Sequence, residues 1–167
     1  MDNIGKYFLQ SALKEFRDYK TLGDKTFAQL NDDDYHHQPN MECNSIAITI
    51  QHMHGNMFSR WTNFLTEDGE KEWRKRDEEF EVHKYSKEKL LQLWEEGWQL
   101  VFNTIESLAD EDCGKSVSIR NKPLNVIEAI NRQIGHYAYH VGQIVLLAKI
   151  LKENLWLTLS IPRKNKA

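Results

Sequence analysis

Apolar residues recur along this chain in four separate stretches, at three- to five-residue steps in the first and mostly three- and four-residue steps in the others, the period of a helix that buries one face. The first stretch runs from about Asp2 to Leu30, where Ile4, Phe8, Leu13, Phe16, Tyr19 and Leu22 form roughly one stripe. Residues 31–44 are rich in turn formers and end it. The second starts after Asn44 or Ser45, either of which suits an N-cap, and extends to about Thr66, with Ile46, Ile50, Met53, Met57, Trp61 and Phe64 on one side. The third spans Ser86 to about Leu108, where Leu90, Trp94, Val101, Ile105 and Leu108, flanked by Leu91, Trp98 and Phe102, make a broad apolar face. The fourth opens on Asn125 with Glu128 three residues on, the spacing of a capping box. Ile127, Ile130, Ile134, Tyr137, Val141, Ile144, Ala148 and Leu151 then alternate steps of three and four, a heptad seam.

The intervening segments carry other signals. Residues 67–81 hold 12 charges of mixed sign among 15 positions, which predicts a solvated connector anchored at most by Trp73 or Phe80. Val117 and Ile119 alternate with polar neighbours, the mark of a short extended piece or hairpin between Ser116 and Leu124. Residues 155–162 alternate as well, so the chain is expected to leave the last helix as an extended strap. Four amphipathic helices with little strand predict an all-α protein, a four-helix bundle occupying residues 1–167 as one domain. The long connectors after the first and second helices let helices that are not sequence neighbours pair.

Composition narrows the class. The chain has 167 residues, 40% hydrophobic and 28% charged, enough for a core and unlike a disordered segment. Its net charge of −3 with neutral histidines argues against general nucleic-acid binding, and Arg163, Lys164 and Lys166 make only a small basic tail. No apolar run reaches the ~18 residues of a membrane span, and the first residues, Met1-Asp2-Asn3, do not read as a signal peptide. Two cysteines, Cys43 and Cys113, cannot build a disulfide framework, which suits a reducing cytoplasm.

Candidate chemistry lies in the histidines. His136 and His140 stand four apart on the fourth helix, close enough on one face to reach a single metal ion. They occupy not the heptad seam but the adjacent strip with Ala129, Gln133, Gln143 and Leu147. A pair bonded to carbonyls, or simply exposed, is the competing reading. Tyr137 follows His136 where a zinc peptidase would need glutamate, so peptidase activity is disfavoured. His52 on the second helix could supply a third imidazole, or it could be a core histidine beside Met53 and Met57. His54 faces elsewhere, and His36, His37 and His83 read as surface residues. Gly135 and Gly142, seven apart in the fourth helix, suit close approach of another helix, either within the bundle or across a dimer contact.

Asn44-Ser45-Ile46-Ala47-Ile48 leading into Gln51-His52-Met53, together with His136-Tyr137-Ala138-Tyr139-His140-Val141-Gly142-Gln143-Ile144, resembles the DinB/YfiT-like superfamily of metal-dependent enzymes. Ser59-Arg60-Trp61, Asp68-Gly69-Glu70-Lys71 and Leu159-Ser160-Ile161-Pro162 resemble a bacterial subgroup of unknown function within it. The resemblance implies an up-down-down-up four-helix bundle, commonly a homodimer, with a divalent metal such as Zn²⁺ or Ni²⁺ on three histidines. Carried onto this chain, the ligands are His52, His136 and His140. It further implies a small-molecule substrate and, as in members with known activity, a low-molecular-weight thiol such as bacillithiol as cosubstrate. Two functions follow as expectations: a metal-dependent thiol S-transferase or related hydrolase or isomerase, and, as the alternative, a non-catalytic binding or stress-response bundle whose metal site is empty or structural. No catalytic acid or base is identifiable from the residues near the histidine strip.

Overall fold

The computed structural model describes residues 3–162, so Arg163, Lys164 and Lys166 lie outside the described residues. Among those described, four long helices dominate: α1 (Ile4–Phe27), α2 (Ile46–Trp61), α3 (Lys87–Ser107) and α4 (Val126–Lys152). One antiparallel hairpin, β1 (Ser116–Ile119) and β2 (Lys122–Asn125), precedes α4. The protein is therefore all-α with a small two-stranded sheet. Each helix packs on two others, α1 on α3 and α4, α2 on α3 and α4. Among the described residues, no helix is long and apolar enough to cross a membrane.

Local chemistry accounts for where the helices begin. Ser45 Oγ accepts from the Ile48 amide at 3.2 Å and Ser86 Oγ from the Lys89 amide at 3.3 Å, satisfying donors that no helical turn can reach. At α4, Asn125 Oδ1 accepts from the Glu128 amide, and Glu128 Oε2 from the Asn125 amide, both at 2.8 Å. That is the reciprocal capping box expected from the spacing. The hairpin also forms where expected, turning on Arg120 and Asn121, which both hold positive φ (55° and 59°). Such a pair matches the twist of a two-residue hairpin loop.

Two boundaries differ from the periodicity. α2 stops at Trp61 rather than near Thr66, because Thr62 turns extended and Asn63 takes a left-handed φ of 49°. Phe64 then folds back on the Trp61 ring, 5.1 Å between centroids. In α1 the buried face runs through Leu9, Ala12, Phe16, Gly23 and Phe27, so Ile4, expected in the stripe, stays 68% exposed. Gly23 lets α3 come close: a Cβ there would stand 2.3 Å from the Trp94 ring. Gly135 and Gly142 do not serve packing of this kind. An added Cβ at either meets nothing within 4 Å, so crowding between helices of one chain is not their reason.

The core is centred on one aromatic from each helix. Phe16 packs on Trp61, Trp98 and Tyr137 with ring centroids 5.8, 6.2 and 5.7 Å away, and Trp98 meets Tyr137 at 5.5 Å. All four are fully buried. Two of its polar atoms are satisfied in sequence: Trp61 Nε1–H donates to Tyr137 Oη (2.8 Å), whose hydroxyl donates to Asn56 Oδ1 (3.1 Å), whereas the buried Trp98 Nε1–H has no partner among the described residues. Beyond α4 the expected extended strap is replaced in part by a short 3-10 turn over Glu153–Leu155, and residues 156–162 follow without regular structure, bending at 159–161. Trp156 is buried, and Gln29 holds the Leu157 backbone through both its amide groups.

Candidate metal centre

His52 projects from the middle of α2, and His136 and His140 from successive turns of α4. The α4 strip that carries them is buried at Ala129, Gln133 and Leu147, as expected of a helix lining a cleft. The three imidazoles converge: His136 Nε2 lies 3.3 Å from His52 Nε2 and 3.0 Å from His140 Nε2. One nitrogen from each falls within 4.8 Å of the others. Nitrogens held at about 2.0–2.1 Å by one tetrahedral cation would be about 3.3 Å apart, so the spacing fits a shared ion. His52 and His140 are 5% and 7% exposed.

The outer nitrogens of two rings are already engaged. His52 Nδ1 lies 2.9 Å from Glu79 Oε2, and His140 Nδ1 lies 3.0 Å from Gln143 Oε1. With Nδ1–H donating to those oxygens, each Nε2 keeps its lone pair for the point of convergence. His136 Nδ1 is buried with no partner among the described residues. Burial, together with the neighbouring imidazoles His140 and His52, pushes the His136 pKa down to about 3. Burial and the nearby His52 push His140 down to about 4. Both rings are neutral at pH 7, the protonation state a ligand needs.

Glu79 is held from three sides. Burial alone would raise its pKa, but hydrogen bonds from Arg74 and His52 keep it below the ordinary carboxylate value. Arg74 makes a two-pronged contact to it, Nε to Oε1 at 2.7 Å and Nη2 to Oε2 at 2.8 Å, with a side chain only 2% exposed. Gln51 Nε2 donates to the Glu81 carbonyl at 3.1 Å, fastening the same stretch to α2. Gly55 leaves room for the carboxylate, since a Cβ there would sit 2.2 Å from Glu79 Oε1. The Phe80 ring lies over His52, centroids 4.7 Å apart.

The charged connector expected to be solvated is therefore a wall of the site. Trp73, one of its two expected anchors, is 57% exposed, whereas Phe80 covers His52. Ser59 and Arg60, at the end of α2, both donate to the Gly69 carbonyl. Asp68 accepts from the backbone amides of Glu70, Arg120 and Asn121 and from Ser118 Oγ, tying the connector to the hairpin. Glu79, Arg74 and Gln51 were not legible from spacing. Gly55, a helix-weakening residue three positions from His52, was the available signal of a close approach there.

His54 does point elsewhere, its Nε2 3.5 Å from Glu96 on α3. His36, His37 and His83 are exposed. The three histidines open onto a cleft of about 560 Å³ bounded also by Asn56, Arg60, Arg74 and Gln133.

A family model described as "Protein of unknown function (DUF1572)" matches residues 3–165. The chain belongs to this family. The matched span takes in all four helices and every residue of the DUF1572 histidine cluster described above. No curated protein and no solved structure matches the chain.

Proposed function

We propose that this DUF1572 protein is a divalent-metal-dependent enzyme acting on a small molecule, with His52, His136 and His140 as the ligands. The observation that carries the reading is the convergence of three Nε2 atoms while Glu79 and Gln143 occupy the outer nitrogens of His52 and His140. Three protein ligands leave a coordination position open, the pattern of catalytic rather than structural sites. The donor set, three imidazoles without thiolate, suits Zn²⁺ or Ni²⁺.

When bound, such a cation supplies Lewis acidity that lowers the pKa of a thiol or water brought against it. The chain's own groups do the rest. Glu79 and Gln143 fix the ring orientations, Arg74 keeps Glu79 ionised, and Phe80 shields His52 from solvent. In the thiol S-transferase form of this reading, the thiol releases its proton to solvent water, and its sulfur forms a bond to an electrophilic carbon as a leaving group departs from that carbon with its electron pair. The reading includes the DinB/YfiT-like up-down-down-up bundle, a cytoplasmic site of action and a homodimer. For the dimer the exposed stripe Gly135, Tyr139, Gly142, Leu146 and Ile150 on α4 offers a self-complementary face.

Elemental analysis of protein purified without an affinity tag should find about one divalent metal per chain, lost in the His136→Ala/His140→Ala double variant. Stoichiometric metal retained by that variant refutes the ligand set. A cobalt-substituted sample whose spectrum shifts on adding a thiol supports the transferase. A metal-bound sample indifferent to thiols favours the non-catalytic alternative. Sedimentation of the same preparation at 19.7 kDa rather than twice that mass would remove the dimer.

A further inference from the structure

Five arginines, Arg60, Arg74, Arg76, Arg120 and Arg132, line the cleft above the histidines, and among the described residues no aspartate or glutamate does. This concentration of positive charge occurs in a chain of net charge −3. The two deepest are already committed: Arg74 to Glu79, and Arg60 to the Gly69 carbonyl and Glu70. The other three stand at the rim from three different elements.

Arg132 is one helical turn before His136, on the same face of α4, and has no ion pair among the described residues. Arg76 lies over the Phe80 ring, its guanidinium 5.0 Å from the centroid. Its nearest carboxylate, Asp77 at 3.6 Å, is fully solvated. Arg120 shares the single carboxylate of Glu70 with Arg60 and Arg74. Below them Gln133 is 3% exposed, and its Oε1 has no partner among the described residues. Turning that amide over presents an NH₂ donor instead.

The position of Arg120 is itself informative. It holds φ 55°, where a non-glycine residue is disfavoured and asparagine or glycine is the usual occupant of such a turn. Asp68 secures it there by accepting from its amide at 2.8 Å. Its side chain lines the cleft while Nε donates to Glu70 at 2.9 Å, so an arginine kept at a disfavoured turn position fits a ligand-facing role beside that bond.

We infer that the Arg76, Arg120 and Arg132 rim selects substrates bearing an oxyanion, a carboxylate or phosphate group on the end of the molecule remote from the histidines. Guanidinium groups bind both in forked geometry. This deepens the metal-enzyme reading, which it needs only to say where the reacting end of the substrate goes.

Calorimetric titration of inorganic phosphate and of malonate, each into metal-loaded and metal-free protein at low salt, tests it. Binding of either should weaken at least tenfold in Arg76→Gln/Arg132→Gln with metal content unchanged. A preference for phosphate or for malonate identifies the anion class. In Arg120→Asn, which suits the turn but gives up the bond to Glu70, anion affinity should also fall at least tenfold with metal content unchanged. Anion affinity unchanged in these variants overturns the inference. So does binding lost only with His136→Ala/His140→Ala, because the anion would then be a ligand of the metal alone. Protein that takes up no metal yet binds anions through the arginines retains the rim and refutes only the metal reading.

Discussion

Glu79 controls how His52 presents itself. A carboxylate on Nδ1 sets the tautomer and makes Nε2 a stronger donor, and partners of this kind are worth about 10- to 100-fold in metal affinity. Glu79 reaches that position only because Gly55 has no side chain, a Cβ there standing 2.2 Å from Oε1. Gly55→Ala should therefore lower metal affinity about tenfold or more in chelator competition, although alanine is the better helix former. Equal affinity in the variant would show that Glu79 does not act through His52. His52 itself was visible among the apolar residues of α2, because ligand spacing and flanking periodicity are local. Glu79 was not, being one charge among twelve in residues 67–81 and 27 positions away from its partner.

The connector and the hairpin work as one clamp. Asp68 accepts four hydrogen bonds from both segments, and these outweigh the burial that would raise its pKa, holding it well below the usual carboxylate value. Glu70 is lowered too, where burial is opposed by hydrogen bonds from Arg120 and Arg60 and by the charges of Arg60 and Arg74. Carboxylates depressed in the folded state add stability that is complete above their unfolded pKa, about 4, and lost as pH falls through the folded value. Unfolding of the wild type should accordingly become easier below about pH 4. In Asp68→Asn, denaturant titrations should show lower stability at pH 7 and a shallower acid decline; an unaltered acid profile would remove Asp68 from the clamp. The hairpin was foreseeable from its alternation, the α4 cap from Asn125, the α2 cap as either Asn44 or Ser45, and the start of α3 at Ser86. That the charged stretch packs was not, because a run of mixed charges looks the same whether its partners are water or buried arginines.

Four aromatic side chains, one per helix, meet at the centre, and the Tyr137 hydroxyl gives the cluster its polar link between α2 and α4. Tyr137→Phe would strand the buried Trp61 N–H, a loss of about 1–3 kcal/mol. The expected readout is a lower thermal midpoint with the helical circular dichroism intact at 20 °C or so, and a midpoint equal to wild type would contradict it. The register of α4 explains why this residue lies next to the site: Tyr137 faces the core while His136 and His140, either side of it, face the cleft. That much follows from 3.6 residues per turn, and so do the helices, their caps and the placing of two histidines on one face, since each depends on neighbours a few positions apart. The meeting of α2 with α4, the seating of Glu79 and Arg74 behind His52, and the gathering of arginines around the opening depend on contacts between residues tens of positions apart. Those contacts are selected by burial and close packing of the whole chain, and no local pattern encodes them.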